Sequence, residues 1–344
     1  MKTPRFLLSK SKVLEQYKIV ESVADIVSYS SKTNPLVTGM LEKNTDCLFS
    51  IHMCDELKHI KDLSRVLFLA QGWDNTLIED LLQEGIFRFA VDNEADLDTL
   101  LNYLKNSDKK IELMLRIKLK ENTLRTERYF VFGMFSETVN ARISELKNNN
   151  NISSLGVHFH RKTQNMAEWN LVYEVSNMLN ESTLDAIDSL NIGGGLPSEY
   201  ANTNLDVMPS IIKRITELKN WLNEKNINLM VEPGRFISAP AGKLVTAVTA
   251  VYENNVIVNA SVYNSDMDAI LVPVKLLIEG ELSRGEGQPY VVKGCTPCSM
   301  DLFRYRVYLN EIKVGQELVF LNAGAYNFGS DFCDLERIET EIVE

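Results

Sequence analysis

The sequence predicts a parallel (β/α)8 barrel of the TIM type followed by a smaller β-rich domain. Eight short apolar runs occur in the first two-thirds of the 344-residue chain, and stretches with helical periodicity separate most of them. Strands that alternate with helices form parallel βα units, and eight such units favour a closed barrel over an open sheet. After about Arg235 the long helical patterns stop while β-rich runs continue, which predicts the second domain.

The predicted elements follow in chain order. Barrel strands are predicted at Ile26–Tyr29, Cys47–Ile51, Val66–Leu69, Phe87–Val91, Ile111–Ile117, Ser154–His160, Leu190–Ile192 and Leu229–Val231. The intervening helices include Asp74–Glu84, Glu94–Leu104, Ser136–Leu146, Met166–Asn180 and Asp206–Lys225. Later β-rich runs are Leu244–Tyr252, Val256–Tyr263, Ala269–Val274, Tyr290–Val292 and Glu317–Leu321. We therefore expect a barrel domain over 1–235 and a β-sandwich or β-barrel domain over 236–344.

Composition and charge exclude several classes of protein. With 36 basic and 47 acidic residues the formal charge is −11, which argues against a nucleic-acid or anionic-membrane partner. No secretory signal is visible, and no run approaches the roughly 18 apolar residues of a membrane-spanning helix. The five cysteines, an odd and sparse number, favour free thiols in the cytoplasm. Cys295 and Cys298 form the only CxxC, so we expect no metal site.

Four groups of candidate catalytic or binding residues lie at the ends of predicted strands, where a parallel barrel places its active site. The first is Lys32, in the segment Ser30–Pro35 directly after a strand. A lysine buried in a barrel mouth has a lowered pKa and can serve as a Schiff-base amine. The alternative is a surface lysine in a loop that ends at Asn34 and Pro35.

The second group is the pair His158 and His160 in Gly156–His160. Strand alternation places both imidazoles on one side of the strand. One of them can stack on a flat cofactor, the two can bind a metal ion, or both can be hydrogen-bonded residues of the core.

The third group is the run Gly193, Gly194 and Gly195 after an apolar strand. Glycines let backbone N–H groups approach an anion closely, so the run is a candidate phosphate cradle. A tight turn between a strand and a helix is the alternative.

The fourth group is Glu232–Arg235. A carboxylate at the end of a buried strand needs a partner, which a protonated ring nitrogen or Arg235 itself would supply. Gly234 and Arg235 offer further donors for a phosphate. The alternative is an acid paired with the arginine in a turn.

Together the four groups are the inventory that a pyridoxal phosphate site needs. Their order and spacing resemble the ornithine/diaminopimelate/arginine decarboxylase family, the fold-type III pyridoxal phosphate enzymes, from Thr3 to about Phe328. The motifs that carry the resemblance are Tyr29–Pro35, Gly156–His160, Gly193–Pro197, Glu232–Arg235 and Asn322–Tyr326. The resemblance implies an alanine-racemase-like barrel with a C-terminal β domain. It also implies a homodimer whose active sites are shared between subunits.

The resemblance also assigns roles to single residues. It implies that Lys32 is the Schiff-base lysine, that His160 stacks on the cofactor ring and that Glu232 partners the ring nitrogen. The residues implied to hold the phosphate are Gly193, Gly194, Gly195, Gly234, Arg235 and Tyr326.

The chain departs from the family pattern in a loop that enters the partner's active site. The family carries Gly-Pro-x-Cys-acidic-x-x-Asp, whereas here the segment is Gly294–Asp301, with proline at the cysteine position. The implied catalytic thiol is then Cys298, slightly favoured, or Cys295. The residues expected to contact substrate are Cys295, Asp301 and Tyr263.

Positions at which family members with basic substrates carry acids are also altered. They fall on Val272 and Cys298, and Asp266 and Asp268 are candidates to replace the acid expected at Val272. A further family acid, which follows the lysine segment, falls on Ser50, whereas Glu56 is kept. The expected function is decarboxylation of an amino acid of the diamino acid or carboxylated polyamine class, in amino-acid metabolism or polyamine biosynthesis. A racemase with the same barrel and a non-catalytic pyridoxal phosphate-binding protein are the alternatives.

Overall fold

The computed structural model describes residues 2–119, 131–167, 169–327 and 332–344, so Phe328, at the end of the family resemblance, lies outside the described residues. The strands are β1 Arg5–Ser9, β2 Ile26–Ser30, β3 Leu48–Ile51, β4 Val66–Ala70, β5 Arg88–Val91, β6 Ile111–Arg116, β7 Ile152–His158, β8 Ser189–Asn191, β9 Asn228–Val231, β10 Gly242–Tyr252, β11 Asn255–Val258, β12 Leu277–Ile278, β13 Gln288–Lys293, β14 Leu302–Leu309, β15 Glu317–Leu321 and β16 Glu339–Val343. The α-helices are α1 Lys10–Glu21, α2 Pro35–Asn44, α3 Asn75–Gln83, α4 Glu94–Leu104, α5 Ser136–Leu146, α6 Leu171–Met178, α7 Glu181–Leu184, α8 Met208–Asn223, α9 Arg235–Ser238, α10 Val262–Ser265 and α11 Met267–Leu271.

The first compact unit is a closed barrel of β2 to β9, formed by Tyr17–Pro197 and Val207–Gly234. Each strand pairs in parallel with the next, and β2 closes the ring on β9 with Val27 opposite Val231. The eight predicted barrel strands are therefore confirmed, each within about two residues at either end.

Side-chain caps begin the helices around the barrel where the sequence predicts them. Asp74 caps α3 by accepting the N–H of Leu77, and Asn93 caps α4 by accepting the N–H of Asp96. Each helix then buries its apolar stripe against the barrel, as amphipathic helices do. None of the helices in the described ranges is long and apolar enough to cross a lipid bilayer.

The interior of the barrel changes from apolar to polar toward the carboxyl ends of the strands. Leu67, Ala90, Met114 and Met230 form an apolar cluster inside it. Because every second residue of a strand faces the same side, the next inward-facing positions lie two residues further along each strand. Most of those positions are polar and include Ser28, Ser50, Arg116 and Glu232, whereas Leu69 is apolar.

The second unit contains an eight-stranded, mostly antiparallel sheet. It comprises the chain up to Gln16, Ser198–Asp206 and Arg235–Glu344. The chain divides between Gly234 and Arg235, whereas the sequence predicts a boundary after Arg235, and the assignment of two domains stays a prediction. The N-terminal segment groups with this unit because β1 pairs with β10 and with β16.

One predicted strand of the second unit is wrong. Ala269–Val274 was expected to be a strand, but helix α11 occupies Met267–Leu271, and the run predicted to reach Tyr263 ends its strand at Val258. Ser261 begins a helical segment there by accepting the N–H of Tyr263. Short apolar runs do not distinguish a strand from a buried helix, and here the cap decides the outcome.

Candidate active site

Glu232, directly after β9, is a buried carboxylate surrounded by hydrogen-bond donors. Its Oε1 accepts from Ser50 Oγ at 2.9 Å and from Asn191 Nδ2 at 3.0 Å. Its Oε2 lies 3.3 Å from His158 Nε2. Burial by itself would raise the pKa of Glu232, but His158 and Asn191 hold it well below its usual range. The barrel therefore holds an ionised carboxylate at its carboxyl end.

His160 presents a neutral imidazole to the barrel mouth. Its Nδ1 accepts the N–H of Gly194 at 3.2 Å, which places the ring proton on Nε2. Burial lowers the pKa of His160 to about 3, although 38% of its side chain reaches solvent in the concave mouth. A neutral ring with one open face is what stacking on a flat cofactor requires.

His158 is completely buried and belongs to the core around Glu232. Its Nε2 faces the carboxylate, and its Nδ1 has no hydrogen-bond partner within the described ranges. The ligand atoms of His158, His160 and Glu232 lie within 4.8 Å of one another. The absence of a metal remains a prediction.

Lys32 lies in a short helical turn, Ser31–Thr33, directly after β2. The side chain is solvent-exposed, yet the mouth of the barrel surrounds it with protein. This partial burial lowers the pKa of Lys32, while Glu232 and Glu56 oppose the shift. Within the described ranges Lys32 makes no ion pair, so its amine is available.

His52 and Glu56 interact with Lys32 through charge. Glu56 retains an acid of the family pattern, whereas the sequence motifs assign no role to His52. Ser30 lies opposite Ser50 in the β2–β3 pairing, so Lys32 and His52 each follow the paired position by two residues. Burial, and then the charge of Lys32, lower the pKa of His52 to about 3. Glu56 Oε1 accepts the backbone N–H of His52 at 2.9 Å. The sequence feature that could have identified His52 is its position directly after the predicted strand Cys47–Ile51.

Arg116 is a further group that sequence reasoning missed. It ends β6 and donates through Nη1 to Asp92 Oδ1 at 2.9 Å. Its guanidinium lies over the ring of Phe132 at 5.0 Å. Burial lowers its pKa, and Asp92 and Glu232 oppose the shift. A basic residue at a strand end could have identified it.

The glycine run Gly193–Gly195 allows close backbone packing, and only one of its N–H groups is left to bind a phosphate within the described residues. Gly193 has φ +66°, and a Cβ there would lie 2.6 Å from His160 Nδ1, while one on Gly194 would lie 2.7 Å from the carbonyl oxygen of Glu232. The N–H of Gly193 is bound by Asn191 Oδ1 at 2.9 Å, and that of Gly194 by His160. The Gly195 N–H makes no hydrogen bond in the described part of the chain. One of the three predicted phosphate donors is therefore free.

Gly234 packs the Glu232 segment against the Lys32 turn. A Cβ on Gly234 would overlap the side chain of Thr33 and lie 3.2 Å from the Cβ of Ser30. The N–H of Ser30 donates to the carbonyl of Pro233 at 3.2 Å. Glycine is needed here for close approach of two segments, which fixes Lys32 relative to Glu232.

Arg235, in the second unit, is bound by an acid other than the one predicted. Its Nη2 donates to Asp268 Oδ1 at 2.8 Å, and its Nη1 binds the other oxygen of Asp268. Nη1 also donates to Tyr200 Oη at 2.8 Å. The ring of Tyr326 lies 5.1 Å from the guanidinium. The alternative in which Arg235 pairs with Glu232 is therefore wrong, because Asp268 holds the guanidinium.

Three acids of the second unit, Asp266, Asp268 and Asp301, are buried. Asp266 is fully buried, and neither of its carboxyl oxygens has a hydrogen-bond partner in the described ranges. Burial, reinforced by Asp268, raises the pKa of Asp266 well above its usual value. Asp301 uses one oxygen for the N–H of Val262 at 2.9 Å and the other for Thr296. These hydrogen bonds tie Asp301 to α10 and to its own loop, and its expected contact with the substrate stays a prediction.

Cys298 is the more reactive of the two candidate thiols. Its Sγ lies 2.8 Å from Tyr263 Oη, and this hydrogen bond lowers the pKa of Cys298. Burial and Asp301 raise the pKa of Cys295. Because the thiolate is the reactive form, the structure favours Cys298.

Comparison with known proteins gives the family. Residues 27–239, more than half of the chain, match the family model "Pyridoxal-dependent decarboxylase, pyridoxal binding domain". The chain belongs to this family. Pyridoxal phosphate is its cofactor, and the alanine-racemase-like barrel followed by a β domain is its fold.

Individual relatives of this chain are distant. A probable chloroplastic diaminopimelate decarboxylase of rice is 25% identical over 279 residues, which cover 74% of this chain and 56% of the relative. A 2-[(L-alanin-3-ylcarbamoyl)methyl]-2-hydroxybutanedioate decarboxylase of Staphylococcus aureus is 24% identical, over 78% of this chain and 73% of the relative. The Helicobacter pylori diaminopimelate decarboxylase complexed with L-lysine has a TM-score of 0.84 at 21% identity, covering 100% and 92% of the two chains. This structural likeness shows the fold.

The described residues of the chain fit the cofactor. Lys32 offers an amine in the mouth of the barrel, and His160 a neutral ring with an open face. Glu232 offers an ionised carboxylate that would hold a protonated ring nitrogen. Gly195 keeps a free N–H in a turn that no side chain can fill.

Proposed function

We propose that the chain is a pyridoxal phosphate-dependent amino-acid decarboxylase. The observation that carries the proposal is Glu232, which three side-chain donors hold in its ionised form although it is fully buried. A carboxylate of this kind keeps the ring nitrogen of the cofactor protonated and so favours loss of a carboxylate. An uncharged or basic group at this position would favour a racemase.

Each residue of the site has a defined task. When bound, pyridoxal phosphate supplies the electron sink for the electron pair left by the departing carboxylate. Lys32 holds the cofactor through its amine, His160 supports the ring, and Glu232 holds the proton on the ring nitrogen. Cys298 of a second copy of the chain returns a proton to the α carbon of the product, helped by Tyr263.

The substrate belongs to the diamino acid or carboxylated polyamine class. The names of the rice and staphylococcal relatives support this class, because both denote amino-acid substrates with further carboxylates. The buried acids Asp266, Asp268 and Asp301 leave no carboxylate of this set to bind a distal amine. Within the class, this favours a substrate whose distal end carries a carboxylate over ornithine.

A homodimer with shared active sites completes the proposal. The thiol of Cys298 is exposed, as a group that acts on a second copy must be. Light scattering at working concentration is expected to give a dimer, and a monomer would contradict this part. A cytoplasmic location remains a prediction from the unpaired cysteines.

The test is carbon dioxide release by the cofactor-loaded protein across a panel of amino acids. The panel contains ornithine, lysine, arginine, diaminopimelate and carboxylated polyamines. We expect release from a carboxylated member and none from Lys32→Ala. Lys61→Ala, which removes an exposed lysine, is the matched control and should retain full activity.

Glu232→Gln separates the decarboxylase from its alternatives. We expect it to lose most of its turnover, because a neutral amide cannot stabilise a protonated ring nitrogen. Unchanged turnover would overturn the role of Glu232. Racemisation without carbon dioxide release would identify a racemase, and bound cofactor without turnover of any compound would identify a carrier.

A further inference from the structure

Two buried serines lead to Glu232 across neighbouring barrel strands. Ser28 Oγ lies 2.7 Å from Ser50 Oγ, and Ser50 Oγ lies 2.9 Å from Glu232 Oε1. Ser28 and Ser50 are 0% exposed. Ser28 lies on β2, Ser50 on β3 and Glu232 directly after β9. Strand β2 pairs with both β3 and β9, so the three strands are adjacent in the barrel. The three side chains therefore form one hydrogen-bonded chain.

The ionised carboxylate fixes the direction of the protons in this chain. A hydroxyl has one proton to donate, and an ionised carboxylate can only accept. Ser50 therefore gives its proton to Glu232, and Ser28 gives its proton to Ser50. Each donated bond strengthens the next one, because hydrogen bonds polarise one another where water is excluded.

The other groups around Glu232 come from different elements and none of them replaces Ser50. Asn191 of β8 shares Oε1, whereas His158 of β7 and His160 face Oε2. Lys32 and Arg116 act on Glu232 through charge. A carboxylate at position 50 would add a second negative charge beside Glu232, and a nearby like charge raises the affinity of an acid for a proton.

We propose that Ser50, supported by Ser28, is a positioning residue that orients Oε1 of Glu232 and keeps the carboxylate ionised opposite the cofactor ring. The effect on the cofactor rests on family membership, whereas the effect on turnover rests on the proposed function. Ser50 acts through Glu232 and has no contact with the reacting atoms.

The test measures the ring-nitrogen proton of the bound cofactor by nitrogen NMR, using isotope-labelled pyridoxal phosphate in the full-length protein. Removing a donor from Glu232 raises its affinity for a proton, so the proton shared with the ring nitrogen moves toward the carboxylate. For Ser50→Ala we expect about a tenfold fall in the ratio of protonated to unprotonated ring nitrogen, since a hydrogen bond to a charged group corresponds to about one pKa unit or more.

The full series of variants gives an order that a merely structural role would not produce. Ser50→Thr keeps the hydroxyl and should match the native protein. Ser28→Ala should shift the ratio less than Ser50→Ala, and Ser50→Asp should shift it more. Thr38→Val is the matched control, because it breaks the buried hydroxyl pair of Ser31 and Thr38, which lies outside the chain to Glu232. This control should leave the ratio unchanged.

Several results would overturn the proposal. These are a Ser50→Ala ratio equal to the native one, a Ser50→Thr ratio as low as that of Ser50→Ala, or a shift as large in Thr38→Val. If Ser50→Ala fails to fold, Ser50→Cys keeps the shape with a weaker donor and should give an intermediate ratio. If the native protein releases carbon dioxide but the ring-nitrogen ratio is the same in all variants, this inference alone is wrong. If the variants give the expected order of ratios but the native protein releases no carbon dioxide from any compound, the proposed function alone is wrong.

Discussion

Asp268 binds both Nη atoms of Arg235 within the second unit, and the pair is buried on all sides, with side chains 1% and 3% exposed. Arginine and carboxylate forks match in this arrangement, so the pair is strongly directional. The sequence predicted Arg235 as a phosphate donor. Asp268 also ties it to helix α11 within the second unit, and the phosphate role of Arg235 stays a prediction.

Breaking this pair should destabilise the protein strongly. Asp268→Ala leaves the guanidinium of Arg235 buried without its partner, which typically costs about 3–5 kcal/mol. Denaturant unfolding would measure the loss. Glu311→Ala is the control, because its pair with Lys313 is 78% and 74% exposed, and it should change stability by less than about 0.5 kcal/mol. Equal effects would contradict the assignment.

Asp266→Asn should stabilise the protein near neutral pH. Burial raises the pKa of Asp266 above its ordinary 3.8, so the folded state keeps a proton that the unfolded state has lost. The native protein therefore loses stability as the pH rises from about 3.8 toward the folded pKa. The amide has no such penalty. Thermal melting across pH should show a gain that disappears below about pH 3.8, and a gain independent of pH would rule out the titration of Asp266.

Lys32→Ala should abolish covalent attachment of the cofactor. Borohydride treatment of the native protein should fix the cofactor to the peptide that contains Lys32, as seen by mass spectrometry. The partly buried lysine is favoured over surface lysines because its lowered pKa leaves more free amine. Lys61→Ala should still be labelled at Lys32. Labelling of Lys32→Ala at the same stoichiometry would refute the assignment.

His160→Phe should keep cofactor binding better than His160→Ala, because it retains a flat ring. It should also reduce sensitivity to acid. The pKa of His160 falls from 6.5 to about 3 on folding, so the unfolded state takes up a proton first and stability is lost as pH falls through this range. Melting temperatures between about pH 6.5 and 3 would test this. An identical pH dependence in the two proteins would contradict the burial of a neutral imidazole.

Cys298 should react with an alkylating reagent faster than Cys295 of the same loop. The hydrogen bond from Tyr263 stabilises the thiolate of Cys298, whereas burial disfavours that of Cys295. Tyr263→Phe should slow alkylation of Cys298 and leave Cys295 unaffected. Rates for the two cysteines, followed separately by mass spectrometry, give the comparison. Equal alkylation rates would contradict both the preference for Cys298 and the stabilisation of its thiolate by Tyr263.

The barrel could be predicted because each strand is an apolar run with a helical pattern after it. The second unit was harder, because its strands depend on partners far away in the chain. Strand β14 was missed because Arg304 interrupts its apolar pattern, yet Arg304 is buried and bound by Glu281. Strand β1 was missed because its five residues carry no signal until β10 and β16 lie beside them.

The site was predictable where one motif sets one residue, as for Lys32, His160 and Glu232. What surrounds them was not, because it depends on strand register and on contacts between distant segments. Ser50 is hydrogen-bonded to Glu232, which lies 182 positions later in the sequence. His52 lies opposite Lys32 only because of the register in which β2 pairs with β3. The pairing of Asp268 with Arg235 has no local pattern at all.

The pairing of β1 with β16 places Arg5 opposite Glu339. During synthesis Arg5 is made 334 residues before Glu339, so β1 emerges from the ribosome long before β16 exists. The barrel strands, which lie between them in sequence, are translated in the meantime and can pair with one another. The second sheet therefore cannot close until β16 has been made, and a chain that stalls before that point exposes the unpaired edge of β1.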